Sequence, residues 1–160
     1  MRLGAMHLQE SPDPEAWALS LVASGYRAAA LPCDIFSPED VIRGFARSAS
    51  RHDILIAEVG AWGNVLRDSD RATRAAALER ARRALSVAEE IGASCAVNIA
   101  GSRGYQWDGP DEKNLTPETY GLIVDTVREI IDAVKPTRSF YTLEPMPWMY
   151  PCDIPSQRSP

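Results

Sequence analysis

Two glutamates stand where packing gives no reason for a carboxylate. Glu144 follows the apolar run in "FYTLEPMPW", and Glu58 sits near the end of "ILIAEVG". A carboxylate flanked by apolar residues is costly unless it is paired or coordinated. Pro145 and Pro147 would each remove a ladder donor, so the strand is expected to end by presenting Glu144. His7, Asp34 and Asn98 fall at or just past the strand ends of "LGAMHL", "AAALPC" and "CAVNIAG". At the strand period of two, Ile54, Ile56 and Glu58 are expected on one face, as are Phe140, Thr142 and Glu144. Polar groups gathered at the ends of parallel strands are the usual material of a ligand-binding rim.

Each of these residues also has a purely structural reading. Asp34 suits a turn acceptor leading to a Ser37 cap, His7 a hydrogen-bonded core imidazole, and Asn98 a partner for loop backbone groups. The loop "NIAGSRGYQWDGPDEKN" is the longest irregular segment and suggests substrate contact. Arg103 within it is either a contact for an anionic group or an ordinary surface arginine. Trp62, Trp107 and Trp148 follow strands and either wall a sugar-sized pocket with their ring faces or simply pack. No Walker loop or dinucleotide turn is present to cradle phosphate.

The elements that must position these groups alternate. Asp13 and Pro14 open a first helix with Trp17, Leu21 and Val22 on one face and Gly25 as its stop. Ser37 and Pro38 open a second, striped by Val41, Ile42, Phe45 and Ala49. A third runs from about Asp70 to Ile91 over Ala77, Ala81, Leu85 and Ala88, and Gly92 follows it. Thr116 and Pro117 open a fourth, halted near Pro136. Short apolar runs between amphipathic helices predict an α/β fold of five strands and four helices with a parallel sheet.

Composition narrows the function. The 160 residues are 45% hydrophobic and carry a net charge of −5, with arginines interleaved among glutamates, so no footprint for nucleic acid exists. Cys33, Cys95 and Cys152 are odd in number and widely spaced, which predicts three reduced thiols. No apolar run is long enough to cross a membrane, no signal-peptide core forms at the N-terminus, and a cytoplasmic location is expected.

With these residues in view, "ILIAEVGAWGN", "CAVNIAGSRG" and "YTLEPMPWMYP" resemble the sugar phosphate isomerase/epimerase family, the xylose-isomerase-like TIM barrels. The resemblance covers residues 1 to about 151 as a partial, open barrel of five strands and leaves 152 to 160 as an irregular tail. It implies a divalent ion, manganese, magnesium, cobalt or zinc, held by Glu, Asp, His and Glu from strands five to eight, with Glu144 matching the first ligand. It further implies proton transfer next to a carbonyl through an enediolate, with Glu144 as ligand and acid/base, on a sugar or sugar phosphate. His7, Glu58, Trp62, Asn98, Arg103 and Trp148 would touch substrate. The later ligands have no counterpart here, so this length of chain is expected to be inactive alone and to self-associate through its open edges. The competing expectation is a non-catalytic α/β module gripping a small polar ligand. An apurinic endonuclease on the same fold is disfavoured by the acidic charge and the lack of a histidine-rich cluster.

Overall fold

The computed structural model describes residues 1–5, 11–66 and 71–158. Strands β1 (Gly4–Ala5), β2 (Ala28–Ala30), β3 (Leu55–Gly60), β4 (Cys95–Asn98) and β5 (Phe140–Leu143) pair in parallel and in chain order. Helices α1 (Pro14–Ala23), α2 (Glu39–Arg51), α3 (Arg71–Ile91) and α4 (Pro117–Val134) connect them, and α5 (Ile154–Arg158) follows β5. The result is the expected open α/β sheet, with β1 and β5 at its edges. His7 lies outside the described residues. No helix among the described residues is long and apolar enough to cross a membrane.

Local chemistry sets most helix ends. Asp13 Oδ1 accepts the N–H groups of Glu15 at 2.7 Å and Ala16 at 3.1 Å, and Pro14 starts α1 without needing a donor. The Thr116 hydroxyl accepts from the Thr119 N–H at 3.3 Å ahead of Pro117, and α4 ends at Lys135 in the left-handed region. Two expectations fail. Ser37 does not cap α2, whose cap position is Pro38 with no side-chain bond. The turn before it is closed by Asp34 instead, which accepts from the N–H of Phe36 through Oδ1 at 2.8 Å and of Ser37 through its carbonyl at 2.9 Å. The segment after Pro151 is not wholly irregular, because Asp153 accepts from the Ser156 N–H at 2.8 Å and starts α5.

The helices bury one face of the sheet. Trp17 meets Phe45 edge to face at 5.5 Å, joining α1 to α2. The small stripe of Ala77, Ala81, Ala84 and Ala88 on α3 belongs to the same core as Ile56, Val59 and Ala96 from the strands. Burying this apolar surface is the main stabilising term, at roughly 25 cal/mol per Å².

A bulge in β3 changes which residues face that core. Ala29 pairs with Ile56, yet Ala30 pairs with Glu58, so β3 holds one extra residue, Ala57, against β2. Ile54 and Ile56 are buried before the bulge, and Val59 and Ala61 after it. Glu58 therefore does not line up with Ile54 and Ile56, as an unbroken period of two predicts. The bulge turns it to the opposite, uncovered face. Leu55 and Phe140 lie on that face with 39% and 71% of their surface exposed, so no helix among the described residues covers it. In β5, with no bulge, Phe140, Thr142 and Glu144 share the uncovered face as the alternation predicts.

Candidate functional site

Glu144 is the first residue after β5 and is exposed. Its N–H donates to the Asn98 carbonyl at 2.8 Å, which extends the β4 ladder one residue beyond the strand and fixes the backbone that carries the carboxylate. Pro145 then ends the pairing.

Glu58 lies on the same face but deeper. In the ladder it pairs with Cys95, and Cys95 pairs with Phe140, four residues before Glu144. The strand ends step forward along the ladder: β2 stops at the partner of Glu58 while β3 continues to Gly60. In an eight-stranded barrel with a shear of eight, this stagger averages about one residue per strand. Glu58 thus sits about one inward layer, on the order of 6 Å, below Glu144 along the wall. It is inside β3, two residues short of its end, rather than at the tip.

Trp62 closes this part of the wall. A Cβ on Gly60 would lie 2.6 Å from the Trp62 indole nitrogen, so the ring rests directly on the bare Gly60 backbone. Trp62 is 40% exposed. With Glu58, Gly60, Ala30, Cys33 and Asp34 it lines a groove of about 180 Å³ at the mouth of β2 and β3. Arg80 borders the groove and is bonded to Asp34 at 3.3 Å, its guanidinium 5.2 Å from the centre of the Phe36 ring. The Phe36 N–H and then Arg80 hold the Asp34 carboxyl below the usual carboxylate range.

Asn98 is completely buried, on the helix side of β4 with Ala96. Its Oδ1 accepts from the N–H of Gly63 at 3.2 Å and of Ile99 at 3.0 Å. Its Nδ2 donates to the Gly63 carbonyl at 3.1 Å and the Tyr141 hydroxyl at 3.2 Å. All four capacities of the amide are filled by the protein. Burial pushes the Tyr141 phenol up to about 12, partly offset by the Asn98 contact. Asn98 thus ties the loop after β3 to β4 and β5, and it offers no surface to a ligand.

Arg103 and Trp148 also hold loops together. Arg103 Nη1 donates to the Thr119 hydroxyl at 3.1 Å and lies 3.8 Å from Glu118, which directs the side chain toward α4. Trp148 Nε1 donates to the Asp108 carbonyl at 2.7 Å, leaving 36% of the residue exposed. Trp107 is similarly half exposed within the long loop. The structure therefore brings Glu58 and Trp62 into one groove, sets Glu144 higher on the same face, and leaves Arg103 and Trp148 in the packing of the loop after β4.

Sequence reading missed two asparagines. Asn64 Nδ2 donates to the Ser102 carbonyl at 2.7 Å and its Oδ1 accepts from the Leu66 N–H at 3.0 Å. Asn114, fully buried, donates to the carbonyls of Gly109 and Trp148, both at 3.1 Å, and accepts from the Arg103 N–H at 2.9 Å. The available signal was Gly101 in "IAGSRG", since a glycine needing φ of +96° marks a loop folded tightly on a neighbour.

Glu144 offers the hard oxygen that a divalent ion prefers. Among the described residues, however, no three histidines, cysteines, aspartates or glutamates converge to hold a metal. One exposed carboxylate does not make a metal cage, so these residues do not accommodate such an ion unaided.

Solved structures share this fold. A putative xylose isomerase from Rhodospirillum rubrum superposes with a TM-score of 0.72 at 16% identity, covering 94% of this chain and 57% of its own. A D-psicose 3-epimerase from Clostridium cellulolyticum, solved with D-tagatose, gives 0.66 at 15%, covering 91% and 53%. A xylose isomerase-like TIM barrel protein from Mycobacterium smegmatis, in complex with magnesium, gives 0.59 at 17%, covering 88% and 50%. The chain thus spans 57% or less of the length of these three proteins. No curated protein matches the sequence. Residues 20–157 match the sequence model described as xylose isomerase-like TIM barrel, and the chain belongs to that family.

Proposed function

We propose that this chain forms part of a sugar isomerase or epimerase site, in which Glu144 moves a proton next to a carbonyl. The observation that carries the reading is the exposed Glu144 carboxylate on the uncovered face of the sheet, its backbone bonded to Asn98. Its family and its solved neighbours support the choice of chemistry.

In this reading the Glu144 carboxylate takes the proton from the carbon beside the carbonyl and leaves an enediolate. The reverse transfer to the neighbouring carbon completes an isomerisation. Epimerisation needs a second acid on the far side of the substrate, and Glu58, being on the same wall as Glu144, does not supply it. Glu58 instead accepts a substrate hydroxyl lower in the site, with Trp62 against the ring's C–H groups. A divalent ion would take Glu144 as one ligand, and the other ligands that the family resemblance implies have no counterpart among the described residues. The five-stranded unit alone is therefore expected to lack full turnover while still exchanging the proton slowly.

The test is exchange of deuterium from D2O into D-tagatose, followed by NMR with manganese present, alongside calorimetric titration of the metal. Glu144→Gln, nearly isosteric, is expected to remove exchange and weaken metal binding, while Glu58→Gln affects metal binding less. If Glu144→Gln retains both properties and Glu58→Gln loses them, the roles are wrongly assigned. Sugar binding without any exchange by the unaltered chain would favour the second reading, a non-catalytic module. That alternative draws support from the absence of a three-ligand cluster among the described residues.

A further inference from the structure

We infer that Trp62 is a directed hydrogen-bond donor in this wall: its indole N–H donates to an oxygen of a bound sugar, and Gly60 is the residue that seats the ring to do so. The inference rests on the sugar reading above. It adds to the ring's stacking role a polar contact that fixes the position of one sugar oxygen.

The seat of the ring carries the argument. A Cβ on Gly60 would stand 2.6 Å from the indole nitrogen and 3.0 Å from Cδ1, so the nitrogen-bearing edge of Trp62 lies over a residue without a side chain. The backbone on both sides of Trp62 is pinned to β4. The Ala61 N–H donates to the Val97 carbonyl at 2.8 Å, and the Asn98 amide bonds the N–H and the carbonyl of Gly63 at 3.2 and 3.1 Å. Gly60 and these two neighbours therefore set the ring's place, with no hydrogen bond of its own.

The indole N–H is the group left over. Trp62 is 40% exposed and lines the groove of about 180 Å³, and among the described residues its N–H has no hydrogen-bond partner. Trp148 shows the contrast, since its Nε1 donates to the Asp108 carbonyl at 2.7 Å and is committed to the fold. An indole nitrogen only donates, so its partner must be an atom with lone pairs. A sugar supplies both halves of the match, with oxygens to accept from the N–H and C–H groups to lie against the ring. Donor and acceptor are both neutral, so the contact needs no charged neighbour. A neutral hydrogen bond of ordinary strength corresponds to about threefold to tenfold in affinity.

The experiment titrates the full chain with D-tagatose by calorimetry. In parallel it follows the four tryptophan indole N–H resonances by heteronuclear NMR, with Trp62 assigned by the signal lost in Trp62→Phe. Tagatose is expected to move the Trp62 resonance downfield and to slow exchange of that proton with water. Replacement of Trp62 by benzothienylalanine keeps the bicyclic ring and puts sulfur in place of the N–H. It is expected to weaken tagatose binding about threefold to tenfold while leaving Tm unchanged. Gly60→Ala is expected to weaken binding by a similar factor or more, because it displaces the indole, and to cancel the downfield shift. Undiminished binding by the benzothienyl chain would overturn the donor role while leaving the sugar reading intact. Tagatose binding that leaves the Trp62 resonance in place would overturn the contact altogether. If the unaltered chain binds no tagatose the inference falls too, and the sugar reading is then judged separately by the Glu144 exchange experiment.

Discussion

The carbonyl of Asn98 accepts the Glu144 N–H at 2.8 Å, while the side chain of the same asparagine holds both backbone groups of Gly63. One buried residue therefore joins the backbone under the candidate base to the loop that carries Trp62. Asn98→Ala would strand the Gly63 N–H and carbonyl without partners. It is expected to lower the free energy of unfolding by about 2 to 4 kcal/mol. Urea denaturation measures this, and a change within the error of the fit would show that water replaces the amide.

Gly101 has φ of +96°, and a Cβ built on it would lie 2.3 Å from Asn64 Oδ1. Gly101→Ala combines a disfavoured backbone with a clash against the amide that binds Ser102. A loss of about 2 to 4 kcal/mol in unfolding free energy is expected. Gly121→Ala, at a helical position with nothing near its Cβ, is the control and should be neutral or slightly stabilising.

Glu89, near the end of α3, gathers the segment that leads into β5. Its carboxylate accepts from the Thr137 hydroxyl at 2.6 Å and from the N–H groups of Thr137 and Arg138, each at 3.1 Å, and of Ser139 at 3.0 Å. These bonds, led by the Thr137 hydroxyl, lower its pKa from 4.5 to about 2. A depressed folded value means the stabilisation is complete above the unfolded value and is lost as pH falls from about 4.5 toward 2. Glu15, bonded first by His52 and then by Ser48 and Arg51, falls to about 2 and loses its contribution over the same range. In thermal melts, Glu89→Gln should reduce the slope of Tm against pH below 4.5, and an unchanged slope would remove Glu89 from the account.

Phe140 exposes 71% of its surface on the face that no helix among the described residues covers, beside the unpaired edge of β5. Such a face favours association. The chain is expected to self-associate at micromolar concentrations, and Phe140→Lys should shift sedimentation profiles toward monomer without lowering Tm. A monodisperse unaltered chain would contradict this.

The sequence foretold the elements better than it foretold their faces. Asp13, Pro14, Thr116 and Pro117 announce their helices because cap chemistry is local, and the short apolar runs mark all five strands. The side chosen by Glu58 was not legible, since a bulge is defined by the partner strand and the period of two carries no trace of it. Asn98 looked like a rim residue for a related reason. Its place at the end of β4 was readable, but its orientation depended on Gly63 and Tyr141, distant in sequence. Arg103 went to Thr119 because the long loop folds back onto α4, which composition alone does not reveal.

Asn98 reaching to Gly63, and Asn64 reaching to Ser102, form a reciprocal fastening between two neighbouring loops. Neither loop can swing outward without breaking bonds to the other, so the two share their motion. A ligand meeting Trp62 would find a surface already ordered, and little conformational entropy would be lost in shaping it. Affinity on this wall would then depend chiefly on how well the ligand matches a fixed contour, and discrimination between sugars would appear in their dissociation rates.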